Sequence, residues 1–140
     1  MAEYEGDERA DLGVLVMRLG RRLLDMEQPI LARHGVSMWG YAVLCGLAGG
    51  PMRTQAALAA SIGADKTRLI PILDGLQERG LIEREPDPAD RRVRLLGLTS
   101  DGRRLQLAVQ ADVRAGEEEL LGDLTTEDRA AFLRALDALS

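Results

Sequence analysis

Apolar residues recur at helical spacing between Asp11 and Leu31, at Leu12, Leu15, Val16, Leu19, Leu23, Met26 and Ile30. The pattern predicts a long first helix. His34-Gly35 ends it, since glycine is the residue expected just past a helix C-terminus. Ser37 caps a second helix, Met38 to Ala48, which is apolar on nearly every side and is expected to be buried. Gly49-Gly50-Pro51 stops that helix. Thr54 caps a short third helix, Gln55 to Ser61, carrying Ala56, Leu58 and Ala59. Ile62-Gly63-Ala64 is a tight turn, after which Asp65 caps a fourth helix running to Arg79-Gly80.

Beyond Gly80 the period changes. Leu81 to Glu85 and Val93 to Leu98 are short extended runs, separated by turn formers from Pro86 to Arg92, and together they predict a β-hairpin with a long basic tip. Thr99 caps a fifth helix, Ser100 to about Gly122, with Leu105, Ala108, Asp112 or Val113, and Leu120 along it. Thr125 opens a sixth, with Asp128 three residues on as a carboxylate version of the capping box. Its apolar face is Phe132, Leu133, Leu136 and Leu139. The order predicts a mainly α fold with a small β-hairpin wing, a winged helix-turn-helix flanked by helices at both ends. Its expected modules are an N-terminal helix over 1–36, the winged module over 37–98 and C-terminal helices over 99–140, in one compact chain. The end helices carry wide apolar stripes with little core of their own to cover. Pairing with a second copy would bury them, so 1–36 and 99–140 are read as dimerisation helices.

Composition narrows the function. The 140 residues are 46% apolar and 29% charged, a globular balance, long enough for one self-sufficient core. Cys45 is the only cysteine and His34 the only histidine, which excludes a disulfide framework and paired-His or thiolate metal sites. They also leave no catalytic set, as no carboxylates cluster in a recognisable cleft. No cofactor and no enzymatic activity are expected. No apolar run is long enough to span a membrane, and the acidic start, Met1 to Asp11, reads as neither a signal nor a transit peptide. A cytoplasmic protein is expected.

The net charge of −5 argues at first against nucleic acid as a partner. Partition changes that. Arg53 to Arg104 holds ten basic and eight acidic residues, a balance of +2, while the remainder is −7. A negative total is therefore compatible with a locally positive face. On the fourth helix Leu69, Ile72, Leu73 and Leu76 form the inward stripe, leaving Thr67, Arg68, Pro71 and Gly75 on the other side. Residues at the start of a recognition helix reach base edges in the major groove. Arg68 suits a guanine edge, Thr67 a base or phosphate, and Lys66 a phosphate. Thr54, heading the third helix, joins this candidate DNA-binding set. Pro71 lies past the first turn, so its missing N–H leaves the Thr67 carbonyl without a helical partner; a kink there would re-aim the reading end. In the wing, Arg91 and Arg92 sit at the tip and Arg94 begins the return strand, placed to enter a narrow minor groove. Asp90 is expected to structure the wing by accepting hydrogen bonds from a neighbouring arginine or the loop backbone.

Leu58-Ala59, Ile62-Gly63, Asp74, Leu76, Gly80-Leu81-Ile82-Glu83-Arg84, Asp87-Pro88, Asp90-Arg91-Arg92, Leu98-Thr99 and Gly102 together resemble the MarR family of bacterial transcription regulators. The resemblance spans nearly the whole chain. It implies an obligate homodimer, built from the first, fifth and sixth helices, on a pseudo-palindromic stretch of double-stranded DNA. By position it puts Lys66, Thr67, Arg68 and Pro71 on the recognition helix and Arg91, Arg92 and Arg94 on the wing. Arg68 and Pro71 replace a small polar and a basic residue common in the family. The expected function is a sequence-specific regulator, a repressor relieved by a small molecule.

The resemblance further implies a small, often aromatic and anionic ligand between the dimer helices and the winged module. The residues near that junction are His34, Ser37, Met38, Trp39 and Tyr41, with Arg22 among the arginines of the first helix. The same group is also readable as an aromatic core cluster with a capping histidine. Cys45 is a candidate redox sensor, but it sits among Val43, Leu44 and Leu47, which predicts a buried, inert thiol. Two alternatives stand beside the DNA-binding repressor: a winged-helix module for protein–protein contacts, and a regulator sensing oxidation through Cys45.

Overall fold

The computed structural model describes residues 8–50 and 53–140. Most of the acidic start and Pro51 of the Gly49-Gly50-Pro51 stop lie outside the described residues. The elements in chain order are α1 (Leu12–Arg33), α2 (Met38–Ala48), β1 (Arg53–Thr54), α3 (Gln55–Ile62), α4 (Lys66–Glu78), β2 (Ile82–Pro86), β3 (Arg94–Leu98), α5 (Ser100–Leu121) and α6 (Thr126–Leu139). The chain divides into two compact units, 30–115 and the pair 1–29 with 116–140. The division runs inside α1 and α5 rather than at the loops that flank residues 37–98.

Local chemistry sets the helix starts in unit 30–115. Ser37 Oγ accepts a hydrogen bond from the Gly40 N–H (3.0 Å), Thr54 Oγ1 from Ala57 N–H (3.1 Å) and Asp65 Oδ1 from Thr67 N–H (3.0 Å). Each satisfies one of the orphan donors of a first turn. Gly63 ends α3 at φ +69°, a left-handed conformation that only glycine adopts without strain. That single residue sets the sharp angle between α3 and α4. Gly46 serves packing instead: a Cβ there would meet the side chains of Leu58 and Ile62, so its absence lets α3 lie close on α2.

The sheet is a three-stranded antiparallel one in the order β1-β3-β2. The hairpin pairs Ile82 with Leu98 and Pro86 with Arg94. β1 goes beyond the expected hairpin: Arg53 and Thr54 pair with Leu96 and Leu95. Two residues carry no readable alternation, so only the pairing reveals this strand. The core joins Val43, Leu44 and Leu47 of α2 to Leu58 and Ala59 of α3. Leu69, Leu73 and Leu76 of α4 and Leu81, Ile82 and Leu96 of the sheet complete it. On α5 the inward positions are Gly102, Gln106, Val109 and Val113, whereas Ala108 is exposed.

Only part of α2 is buried, which corrects the expectation for Cys45. Its thiol is exposed, because the helix packs through Gly40, Val43, Leu44 and Leu47 and Cys45 lies off that face. Gln106 Nε2, on α5, stands 3.8 Å from its sulfur.

The other unit holds the first eighteen residues of α1, the end of α5 and α6. None of its described residues is buried. Gly116 gives α5 room against Met26, whose side chain a Cβ would strike. Leu12, Val16 and Met17 of α1 are 64%, 59% and 73% exposed, and Leu139 of α6 is 84% exposed. Phe132 is half-buried. Thr125 caps α6 through the Asp128 N–H (3.1 Å).

Burial, reinforced by the Glu117 carboxylate, raises Glu27 above its ordinary 4.5. The folded chain thus holds this proton more tightly than the unfolded chain. Its contribution to stability is full below about 4.5 and is lost as pH rises through the raised value. Glu27→Gln is therefore expected to leave the thermal midpoint unchanged near pH 4 and raise it at pH 7. A lower midpoint at pH 7 would contradict the assignment.

Candidate nucleic-acid interface

α3, the Gly63 turn and α4 form a helix-turn-helix, and β2–β3 form the wing. Lys66, Thr67, Arg68 and Pro71 are all exposed on α4, opposite buried Leu69, Leu73 and Leu76. α4 continues through Pro71. The proline withholds the N–H that would pair with the Thr67 carbonyl, but Thr67 is exposed and water can satisfy that oxygen. Thr54 is half-buried, and its hydroxyl oxygen accepts the capping hydrogen bond of α3.

The wing tip is a hydrogen-bonded loop. Asp87 N–H donates to the Val93 carbonyl (2.8 Å), and Val93 N–H to that of Asp90 (2.9 Å). Asp87 Oδ1 accepts from Ala89 N–H (2.9 Å). Asp90 takes three bonds from one residue. Its Oδ1 accepts from the N–H and the Nε–H of Arg92 (both 3.1 Å), and its Oδ2 accepts from Nη2 (3.2 Å). This fork geometry holds both carboxylate oxygens. Arg92 is thereby clamped along the loop although its side chain is 91% exposed. Lys66, Arg68, Arg91 and Arg94 form no ion pair with any described residue, which leaves their charge available to an outside anion.

The Arg92 side chain, then its backbone N–H, lowers Asp90 below the ordinary 3.8. A depressed carboxylate contributes above its unfolded value and loses that contribution as pH falls through the folded one. The clamp is expected to hold throughout the neutral range and to open only in acid below pH 3.8. The Arg92 Nε–H resonance followed by NMR checks this. Asp90→Asn should show the opened position at every pH; an Nε–H signal already in that position at pH 7 in the parent would refute the clamp.

Sequence reasoning missed the brace that sets the wing against the reading helix. Arg84 Nη1 on β2 lies 2.9 Å from Asp74 Oδ1 on α4, with the arginine side chain only 24% exposed. Both residues stood in the family-like motif, but no periodicity relates a helix position to a strand position ten residues later. A second long-range link ties Arg79 Nη1 to the Gly35 carbonyl (2.7 Å).

The ligand candidates divide between the two units. His34, Ser37, Met38, Trp39 and Tyr41 belong to 30–115. Met38, Trp39 and Tyr41 are half-buried rather than core residues, and the Ser37 hydroxyl caps α2. His34 is half-buried with Nε2 2.7 Å from Asp112 Oδ2 on α5, a partner 78 residues away that sequence could not pair with it. Arg22 belongs to the other unit and lies 3.8 Å from Asp123.

A helix-turn-helix with a hairpin wing, carrying on its second helix and on the wing cations that pair with no described residue, defines a winged-helix transcriptional regulator. Comparison with known proteins gives the family. The family model described as "MarR family" matches residues 34–93. Transcriptional regulator HosA of Escherichia coli O111:H- is 35% identical over 94 residues, 67% of this chain and 70% of that protein. The solved structure of the transcriptional repressor CouR bound to a 23-mer DNA duplex superposes with a TM-score of 0.85 at 28% identity, covering 99% of each chain. CouR from Rhodococcus jostii RHA1 bound to p-coumaroyl-CoA superposes at 0.75 with 31% identity, over 92% of this chain and 91% of that one. The chain belongs to the MarR family. Among its described residues, no helix is long and apolar enough to cross a membrane.

Proposed function

We propose that this protein is a homodimeric repressor that binds a two-fold DNA site and is released by a small, lipophilic or aromatic anion. The observation that carries the DNA contact is the set of exposed, unpaired cations Lys66, Arg68, Arg91 and Arg94 on the two elements that a winged helix presents to DNA. α4 enters the major groove, where Thr67 and Arg68 meet base edges and Lys66 a phosphate. Arg91 reaches from the wing to the minor groove, with Arg92 and Asp90 holding the loop in shape.

The dimer is supported by the unit of 1–29 and 116–140, whose described residues include none that is buried and many large apolar ones that are exposed. A second copy supplies the missing cover. Two reading helices would then stand about one DNA turn apart, roughly 34–36 Å, and select an inverted repeat. The ligand reading draws on CouR with p-coumaroyl-CoA and on the half-buried group His34, Met38, Trp39 and Tyr41. A ligand that binds the non-operator spacing of the reading heads better depopulates the DNA-bound state.

Sedimentation combined with a duplex titration tests this. The expected result is a dimer at micromolar concentration. Its affinity for an inverted-repeat duplex from its own promoter should fall steeply with salt as phosphate contacts are lost. A monomer, or an affinity indifferent to salt, overturns the proposal and leaves a winged-helix protein-binding module in its place.

A further inference from the structure

In the unit of residues 30–115 nearly every described large apolar side chain is buried or half-buried, and Ile70 departs from that pattern. It is 46% exposed, and among the described residues of this unit only Leu107 of α5 is a comparably exposed large apolar side chain. Ile70 is the fifth residue of α4, three positions after Thr67 and off the stripe of Leu69, Leu73 and Leu76. Its surroundings are polar. Gln55, Asp74, Gln77, Arg84 and Arg94 line the same shallow depression, with Leu96 at its inner side. Asp74 and Arg84 spend their charges on each other, while Arg94 forms no ion pair with any described residue.

Local structure gives no reason for isoleucine here. A β-branched side chain is a below-average helix former, and an exposed one gains little from burial in the free chain. An apolar group of a partner docked on this face would supply the burial that the free chain lacks. Along the major groove, base edges present hydrogen-bonding groups and one apolar feature, the 5-methyl group of thymine. A recognition helix meets base edges through its N-terminal half, which is where Ile70 stands.

We propose that Ile70 is a specificity residue that packs on a thymine 5-methyl group in each half-site. It adds apolar discrimination beside the hydrogen bonds of Thr67 and Arg68. This inference rests on the DNA-binding reading above.

The test begins with duplexes selected from a random library by the full-length parent protein. Each thymine is then replaced singly by uracil, in both half-sites together, which removes the methyl group and keeps base pairing unchanged. One symmetric replacement is expected to weaken binding about fourfold per methyl, so about sixteen-fold in all. Ile70→Ala should bind the thymine duplex more weakly and be indifferent to that same replacement, a coupling that neither change alone reveals. Ile70→Val, which keeps a branched apolar side chain, should retain the sensitivity. The inference is overturned if no uracil position weakens the parent, or if Ile70→Ala remains as sensitive as the parent. A library that yields no bound duplex overturns the DNA-binding reading itself, and this inference with it.

Discussion

Gly102→Ala is expected to lower the thermal midpoint by about 10 °C, corresponding to about 3 kcal/mol. The cause is backbone against backbone. A Cβ at Gly102 would overlap the Leu81 carbonyl oxygen and stand 2.9 Å from its carbonyl carbon, and neither atom can swing aside as a side-chain tip would. Three hydrogen bonds hold α5 in that position. Thr99 N–H donates to the Leu81 carbonyl (3.2 Å), Thr99 Oγ1–H to the Gly80 carbonyl (2.6 Å), and Gly102 N–H to Thr99 Oγ1 (3.0 Å). Relieving the overlap means lifting the first turn of α5 from the start of β2, where Leu81 and Ile82 belong to the core. Gly75→Ala supplies the contrast. Nothing lies within 4 Å of a Cβ there, and the residue is inside α4, so the change should add about 0.5–1 kcal/mol. Thermal melts of both variants decide the matter. A Gly102→Ala midpoint equal to that of the parent would show the close approach to be dispensable.

The second large effect concerns the wing. The double variant Arg91→Ala with Arg92→Ala is expected to lose about 10- to 100-fold in affinity for a selected duplex. The slope of log affinity against log salt should fall by about 1 to 2. The two losses have different origins. Arg91 makes no ion pair with any described residue and, in the proposed complex, meets DNA directly. Arg92 is tied to Asp90 by three hydrogen bonds and sets the shape of the loop that presents Arg91. Both are exposed, so the melting midpoint should barely move, which separates a DNA effect from a folding one. Titrations of the parent and the double variant at three salt concentrations provide the check. Unchanged affinity would remove the wing from the DNA-binding surface.

Much of the fold was legible because its signals are local. A cap and its first turn span four residues, so Ser37, Thr54, Asp65 and Thr125 placed their helices to within a residue. Gly35 and Gly63, at φ +67° and +69°, marked two of the ends. The hairpin was readable from its change of period and its turn formers. β1 was not, because two residues have no period and become a strand only through the partner they find in β3.

The functional face followed the same division. Residue types along α4 and the wing named the cations, and helical spacing separated them from Leu69, Leu73 and Leu76. Spacing could not say which cations are occupied. Asp90 holds Arg92 within the loop, a local pair that the residue types suggested, whereas the Asp74–Arg84 ion pair and the hydrogen bond between Asp112 and His34 join different parts of the fold. Cys45 fails for a related reason. An α-helix apolar on every side does not declare which side its neighbours will cover, and here they cover Val43, Leu44 and Leu47. Ile70 is the converse, an apolar residue that the packing leaves outside.

By itself, then, the sequence determined what is short-range: the capped helices, the tight glycine turns, the hairpin and the basic stretch within an acidic chain. The tertiary structure alone decided which charges on different elements pair, as Asp74 and Arg84 do, and which apolar side chains stay wet. Those outcomes depend on distances between elements far apart in the chain, and such distances exist only once the core has closed.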